Sequence, residues 1–213
     1  MPKQTFISLP EEKQEKIMRA GINQFIRFGY EKGNVGEIAK AAGVAKGSMY
    51  QYFEDKKELF LYSVQWSMNL VMKKYAHLMI PPECESIFGI LEKNARDIML
   101  QMKEERELVI FIQDVFLGKY HSLTDESMEY VNKMATEHMQ RIIALGKKNG
   151  SIRGDISDHI LILYVGGVSF KIKEYLMSKA RNMGEDIIDE DYELYEKEIG
   201  DMMELLKNGM GGK

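Results

Sequence analysis

Apolar residues recur every three or four positions along most of this chain, which is the pattern of helices that bury one face. The N-terminal example begins at Pro10, because proline fits the first turn of a helix, where its missing N–H is not needed. Its apolar positions are Ile17, Met18, Gly21, Ile22, Phe25 and Phe28. Gly29 follows in the position of a left-handed C-cap, so the pattern predicts a helix that ends there.

Two short helices and a longer one are predicted next. Asn34 followed by Glu37 resembles a capping box that opens the first short helix, and Gly43 ends it. A second apolar-periodic stretch covers residues 46–53. Asp55 then suits the N-cap of a longer amphipathic helix.

The rest of the chain keeps the helical period, and no run alternates as a half-buried strand would. After a break at Pro81 and Pro82, five further helices are predicted over 84–102, 104–117, 124–148, 156–181 and 189–207. The sequence therefore predicts an all-α protein.

The composition narrows the class of protein without identifying it. The 213 residues allow one or two domains, and a hydrophobic content of 45% excludes a disordered chain. Cys84 is the only cysteine, so we expect no intrachain disulfide and a reducing, cytoplasmic location. The N-terminus lacks the apolar core of a signal peptide, and the longest apolar run, 160–170, is too short to span a bilayer. We therefore expect no membrane partner.

Residues 34–53 carry the most informative pattern, since two short helices joined by a tight glycine-containing turn form a helix-turn-helix. The second helix of such a motif can enter the major groove of DNA. Four small or apolar residues are expected to fix the crossing of the two helices: Ala39, Ala42, Val44 and Met49. The spacing alone also fits a buried helical hairpin with ordinary surface tyrosines.

Polar residues in and beside the second helix suit a DNA surface. Lys46 and Lys56 offer positive charge to phosphates, Gly47 allows close approach, and Gln51 can read a base edge. Three hydroxyl side chains and the amide of Asn34 can add phosphate contacts. The predicted DNA-binding residues are Asn34, Lys46, Gly47, Ser48, Tyr50, Gln51, Tyr52 and Lys56.

Four stretches of the segment 1–62 form one specific pattern: FIRFGY at 25–30, VGEIAKAAGV at 35–44, KGSMYQYF at 46–53 and KKELF at 56–60. With them, the segment resembles the TetR family of bacterial transcriptional regulators. The resemblance implies a three-helix DNA-binding domain over 1–55 and a larger helical effector-binding and dimerisation domain over 56–213. Two positions depart from the family, which usually has Ser or Thr at Ala45, capping the recognition helix, and Thr at Asn34.

The charge of the chain divides along the same line. The whole sequence has 29 basic and 33 acidic residues, a net charge of −4. Residues 1–62 contain ten basic and eight acidic residues, which gives this segment a net charge of +2 and the rest of the chain a net charge of −6. Basic residues near the expected DNA surface are Lys32, Lys40, Lys46, Lys56 and Lys57. The acidic total therefore does not argue against DNA binding by the N-terminal part.

Two helices of the C-terminal part carry long apolar stripes that suit a four-helix interface between two subunits. The predicted interface residues are Ile160, Leu163, Tyr164 and Gly167 in one helix, and Tyr195, Ile199, Met202 and Leu206 in the other. The alternative is that both stripes face only the core of their own subunit.

Soft and aromatic side chains of the same part can line an adaptable apolar cavity. The predicted pocket residues are Trp66, Met72, Tyr75, Met99, Phe111, Phe116, Met139 and Phe170. The alternative is that most of them belong to the core. Gln113, Asp114 and His121 are expected at helix ends or exposed rather than in this pocket. The acidic charge favours a neutral or cationic lipophilic effector.

No enzymatic activity, cofactor or metal site is predicted, because the four histidines are scattered and nucleotide-binding and nucleophile motifs are absent. The resemblance implies a homodimer that represses transcription by binding double-stranded DNA at a pseudo-palindromic operator, and that responds to a small lipophilic effector. Two alternatives stay open. One is a ligand-sensing or partner-binding helical dimer with degenerate DNA binding, and the other is a transcriptional activator.

Overall fold

The computed structural model describes residues 1–79 and 86–209. The helices of these two stretches are α1 Gln4–Ile7, α2 Glu11–Lys32, α3 Val35–Ala41, α4 Lys46–Tyr52, α5 Lys56–Met79, α6 Ile87–Met102, α7 Arg106–Phe116, α8 Thr124–Asn149, α9 Asp158–Asn182 and α10 Glu196–Asn208. Short 3₁₀ turns cover Lys103–Glu105, His121–Leu123 and Tyr192–Leu194. The described residues form no strand, and the predicted all-α fold is confirmed.

Several helix ends differ from the prediction. Gly29 does adopt a left-handed backbone, with φ 71° and ψ 174°, but the chain resumes a helical turn and α2 ends only at Lys32. The last helix begins at Glu196 instead of residue 189, because the preceding residues form a turn and a 3₁₀ segment. The short helix α1 was not predicted. The expected break at Pro81 and Pro82 lies outside the described residues, as does Cys84.

The chain divides into two compact units by its internal contacts. Unit 1 comprises Met1–Leu70 and Glu107–Val131, and unit 2 comprises the described residues of Val71–Arg106 and Asn132–Lys213. Unit 1 thus continues beyond the functional boundary expected at residues 55 and 56. That boundary concerns the division of roles along the chain and stays a prediction.

Interlocking aromatic rings form the core of unit 1. Phe60 of α5 lies 5.0 Å from Phe25 of α2, 5.5 Å from Phe111 of α7 and 4.8 Å from Tyr120, measured between ring centroids. All three contacts are edge-on, a geometry that aromatic pairs prefer. The cluster joins α7 and the turn after it to the N-terminal helices.

Unit 2 is joined by polar contacts and by the close packing of side chains against one glycine. The hydroxyl of Tyr75 donates to the carbonyl of Gln101 at 2.8 Å, and the Lys179 ammonium lies 2.6 Å from the Glu198 carboxylate, joining α9 to α10. That hydrogen bond raises the pKa of Lys179 and lowers the pKa of Glu198. A side chain at Gly146 would meet side-chain atoms of Ile152 at 2.6 Å, so any larger residue would force Ile152 to shift.

None of the helices in the described stretches is both long and apolar enough to cross a membrane.

Candidate nucleic-acid interface

The helices α3 and α4 form a helix-turn-helix within unit 1. The side chain of Asn34 caps α3, since its Oδ1 accepts hydrogen bonds from the backbone N–H of Gly36 at 2.8 Å and of Glu37 at 3.4 Å. Gly43 has a φ of 69°, a backbone conformation that other residues rarely adopt, and it lets the chain turn sharply after α3. The predicted cap and the predicted glycine turn are both confirmed.

Buried apolar residues fix the position of α4 against the rest of unit 1. Ile38, Ala39 and Met49 are at most 1% exposed. Of the other residues expected to pack there, Ala42 and Val44 are half-buried. One side of the motif is therefore part of the unit 1 core, and its opposite side faces outward.

Five predicted DNA-binding residues lie together on the outward side of α4. Lys46, Gly47, Tyr50 and Gln51 are exposed, and Ser48 is half-buried. Tyr50 leaves 47% of its surface accessible, so its ring and hydroxyl are open to a partner. A side chain built at Gly47 would meet no atom within 4 Å, so this part of the surface is open to close approach.

Tyr52 does not share that surface. It is only 7% exposed, and its ring lies 6.0 Å from the ring of Phe6 in an edge-on contact. Met49, Tyr52 and Phe53 are spaced as one helix face, so the sequence did contain the signal that Tyr52 points inward. The hydroxyl of Tyr52 suggested a phosphate contact, but its place on the buried side of α4 puts it in the core.

Lys56 is half-buried and already engaged within unit 1. Its ammonium donates to the carbonyl of Glu31 at 3.0 Å and lies 4.7 Å from the centroid of the Tyr30 ring. These contacts join the start of α5 to the end of α2. Lys56 thus helps to position the motif, and the phosphate contact predicted for it would be made by the other N–H donors of the same ammonium.

Charge near the motif is partly neutralised by internal ion pairs. Lys57 lies 2.7 Å from Glu126 of α8, and this hydrogen bond is the main cause of a raised pKa for Lys57. Lys32, Lys40 and Lys46 are exposed. These three exposed lysines therefore contribute positive charge near the motif.

The predicted interface residues of α9 are exposed, whereas those of α10 are more buried. Ile160, Leu163 and Tyr164 are 53%, 59% and 46% exposed, and side chains built at Gly166 or Gly167 would meet nothing within 4 Å. In α10, Ile199, Met202 and Leu206 are half-buried, and Leu205, which was not predicted, is exposed.

Tyr195 stands apart from the other predicted interface residues. It is 0% exposed within unit 2, and this burial raises its pKa to about 12. Because the surrounding residues of its own subunit cover the whole side chain, no surface of Tyr195 is left for a second copy.

The predicted pocket residues fall into both units. Trp66, Phe111 and Phe116 belong to unit 1, whereas Met72, Tyr75, Met99, Met139 and Phe170 belong to unit 2. Phe111 is fully buried in the aromatic cluster of unit 1, and Tyr75 is 1% exposed. Phe170 is 38% exposed. These locations do not test the predicted pocket, which stays a prediction.

Two polar residues of α7 are buried, contrary to expectation. Gln113 and Asp114 are 0% and 1% exposed. The Asp114 carboxylate lies 2.6 Å from the ammonium of Lys119, which also donates to the Ile26 carbonyl of α2 at 3.3 Å. The ion pair accounts for the burial of Asp114, and its partner lies beyond the helix in the following turn, where helical periodicity carries no signal. His121 is exposed, as expected.

No group of three or more possible metal ligands occurs among the residues that the structure describes.

Comparison with known proteins agrees with this description. Residues 17–62 match the family described as "Bacterial regulatory proteins, tetR family". The HTH-type transcriptional regulator AcrR of Shigella flexneri is 40% identical over 59 residues, which are 28% of this chain and 26% of that protein. The alignments with the first curated relatives span about a quarter of those relatives' length.

Solved structures resemble the chain over nearly its whole length. The fatty acid degradation regulator FadR from Bacillus halodurans has a TM-score of 0.63 and 20% identity, with 97% of this chain and 100% of that chain covered. FadR from Bacillus subtilis in complex with stearoyl-CoA has a TM-score of 0.62 and 16% identity, with 92% and 99% covered. The sequence pattern of the helix-turn-helix and the family match lead to one conclusion: residues 17–62 form the N-terminal segment that is typical of the TetR family of bacterial regulatory proteins, and the rest of the chain shares the fold of these solved structures.

Proposed function

We propose that the chain is a transcriptional repressor that binds a pseudo-palindromic DNA operator as a homodimer and releases it when a small lipophilic effector binds. The observation that carries the proposal is the outward side of α4. Lys46, Gly47, Tyr50 and Gln51 are exposed there, while the other side of the same helix is buried in unit 1. A helix held in this way can enter a major groove.

The proposed DNA contacts divide into phosphate contacts and base contacts. Lys46 supplies charge at the start of α4, and the hydroxyls of Ser48 and Tyr50 reach phosphates. Gln51 is the candidate for reading a base edge, because its amide can both donate and accept hydrogen bonds. Asn34 already uses its Oδ1 in capping α3, so its proposed phosphate contact falls to the amide nitrogen.

Dimerisation is proposed through α9. Its exposed apolar residues are large, and its Gly166–Gly167 pair allows the backbone of a second copy to come close. Two copies related by a two-fold axis would present two α4 helices, as two half-sites of an operator require. Residues of α10 such as Leu205 would extend the same interface.

Effector binding is proposed to act on the helix-turn-helix through α7. Within unit 1, Lys119 links α7 to the Ile26 carbonyl, and the amide of Asn23 donates to Glu107 at 3.1 Å. A movement of α7 would therefore displace α2, and an effector that favours the displaced conformation would lower DNA affinity. Long-chain acyl-CoA is the first candidate effector, since a FadR of the same fold is known with stearoyl-CoA. This candidate is anionic and therefore replaces the neutral or cationic effector that the acidic charge favours.

The test measures binding of the purified full chain to its own upstream DNA by fluorescence anisotropy at about 100 mM salt. Gln51→Ala is expected to weaken sequence-specific binding by about 1–3 kcal/mol per half-site, and to leave non-specific binding unchanged. Lys46→Ala should reduce the slope of log affinity against log salt by about 0.9 per subunit. The matched controls Gln140→Ala and Lys133→Ala, exposed positions of α8, should behave as wild type.

Adding stearoyl-CoA should release the DNA, whereas coenzyme A without an acyl chain should not. If the chain self-associates but shows no sequence-selective binding, the alternative of a helical dimer with degenerate DNA binding replaces the proposal. Ala45, which provides no side-chain cap for α4, is the observation that favours this alternative. Should the operator lie upstream of the promoter elements instead of overlapping them, activation would replace repression.

A further inference from the structure

The C-terminal end of α4 is held by the first residues of the chain. A helix leaves its last four carbonyl groups without partners inside the helix. In α4 the carbonyl of Met49 accepts from the N–H of Phe53 at 2.8 Å. The other three carbonyls accept from Lys3 and Thr5.

These three hydrogen bonds cover successive residues. The Lys3 ammonium donates to the Tyr50 carbonyl at 2.8 Å, and the Lys3 backbone N–H donates to the Tyr52 carbonyl at 2.8 Å. Between them, the hydroxyl of Thr5 donates to the carbonyl of Gln51. The positive charge of Lys3 also complements the negative end of the helix dipole.

The segment that makes these bonds is itself firmly attached to unit 1. Phe6 is 0% exposed, and its ring centroid lies 4.9 Å from that of Phe53 and 5.6 Å from that of Tyr62. The amide of Gln14 donates to the carbonyls of Ile7 at 3.1 Å and Leu9 at 2.8 Å. Residues 3–9, here called the N-terminal clamp, are thus held between α2 and the end of α4.

The other end of α4 has no comparable support. Ala45 occupies the N-cap position with an extended backbone, and its methyl group cannot accept a hydrogen bond from the first turn. A helix of seven residues is not stable alone, because nucleation is costly and few hydrogen bonds follow it. The order of α4 therefore depends on its C-terminal contacts as well as on the burial of Met49 in unit 1.

We propose that the N-terminal clamp is a positioning element for DNA recognition, in which Lys3 and Thr5 act through the backbone of α4 and not by touching DNA. Two of the carbonyls that the clamp holds belong to Tyr50 and Gln51, the residues proposed to contact DNA. The clamp keeps these side chains ordered before DNA arrives, which lowers the entropic cost of binding. The inference rests on the proposed DNA binding by α4.

A first experiment needs no DNA. Hydrogen–deuterium exchange is measured on the free full-length protein and on Thr5→Val, which keeps the shape of the side chain and removes its donor. Loss of one hydrogen bond should speed the exchange of α4 amides about fivefold. Thr5→Ser should restore slow exchange, and Thr136→Val, at an exposed position of α8, should change nothing. Unchanged exchange in Thr5→Val would overturn the inference.

A second experiment separates positioning from direct contact. Operator affinity is measured at several salt concentrations for wild type, Lys3→Met and Thr5→Val. Positioning predicts an affinity loss of about fivefold per subunit with the salt slope unchanged. If Lys3 touches a phosphate instead, Lys3→Met lowers the slope by about 0.9 per subunit and the inference is wrong.

The two experiments also separate the inference from the proposed function. Lys46→Ala must lower the slope in the same assay, which establishes that a lost phosphate contact is detectable. A wild-type protein that binds no DNA would contradict the proposed function and with it the role of the clamp in recognition. If the wild-type protein binds no DNA but Thr5→Val still speeds the exchange of the α4 amides, the clamp would still be identified as the support of α4.

Discussion

The helices α2 and α9 carry similar apolar stripes in very different surroundings. In α2, Ile17, Met18, Ile22 and Phe25 are all 0% exposed. In α9, Ile160, Leu163 and Tyr164 are each about half exposed, at 53%, 59% and 46%. The same spacing of apolar residues therefore describes a helix buried in its own unit and a helix whose apolar side faces solvent in a single copy.

An apolar stripe determines which side of a helix is buried but not which surface covers that side. The stripe indicates a helix and the side of it that avoids water, since each buried apolar Å² contributes about 25 cal/mol. Which surface covers that side is decided elsewhere in the chain. For α2 the covering residues include Phe60 and Phe111 of unit 1. For α9 we propose that the cover is a second copy.

The largest effect is expected from a substitution in the buried core of unit 1 that covers α2. Phe60→Ala removes the ring that contacts Phe25, Phe111 and Tyr120, and the cavity left behind should lower the free energy of unfolding by about 3–5 kcal/mol. Phe28→Ala is the matched control, because Phe28 is 53% exposed and its truncation should change stability by less than about 0.5 kcal/mol. Urea denaturation measures both. Equal losses in the two variants would contradict the proposed core.

A smaller but qualitatively different effect is expected in α9. Leu163→Asp places a charge in the proposed interface and should weaken dimerisation by about 2 kcal/mol or more, roughly thirtyfold in the dissociation constant. The urea midpoint of the separated subunits should stay within experimental error, since the side chain is 59% exposed. Sedimentation velocity measures the association. Leu100→Asp, at a residue of α6 that is 52% exposed, is the control; if it dissociates the dimer equally, α9 is not the interface.

The smallest effects are expected from substitutions at helix ends, where the hydrogen bonds join residues close together in the sequence. Asn34→Ala should cost about 1 kcal/mol of unfolding free energy, because the N–H groups of Gly36 and Glu37 lose their acceptor.

Ala45→Ser should stabilise unit 1 by about 0.5–1 kcal/mol, because the extended backbone at this position suits an N-cap. Thermal unfolding measures both changes, and neither should alter the association constant. A destabilised Ala45→Ser protein would show that the hydroxyl cannot reach the first turn.

Much of the fold followed from local patterns. Apolar periodicity predicted the major helices, and Asn34 and Asp55 cap α3 and α5 as expected, with the Glu58 N–H donating to Asp55 at 2.8 Å. The helix α1 was missed because four residues are too few for a helical period. The hydrogen bonds from Lys3 and Thr5 to α4 join residues that are 47 and 46 positions apart in the sequence, and local patterns carry no information over that separation.

The candidate site was predictable in part for the same reason. Lys46 and Gln51 are exposed on α4, as a DNA contact requires, because their neighbours in the helix define the buried side, and their contact with DNA stays a prediction. The contacts of Lys56 within unit 1 were not predictable, since its partners, the Glu31 carbonyl and the Tyr30 ring, become neighbours only after α2 and α5 pack. The buried ion pair of Asp114 with Lys119 also depends on a turn whose course the pattern does not specify.

The sequence by itself determined the helical class, the helix-turn-helix, its glycine turn and its first cap, since these depend on residues within a few positions of one another. Tertiary packing alone brings Lys56 to its contacts within unit 1, brings Lys3 and Thr5 to the end of α4, and buries the pair of Asp114 and Lys119. Side-chain chemistry states what a residue can bind. Its partners are set by long-range packing, because burial and hydrogen bonding depend on segments that are distant in the chain.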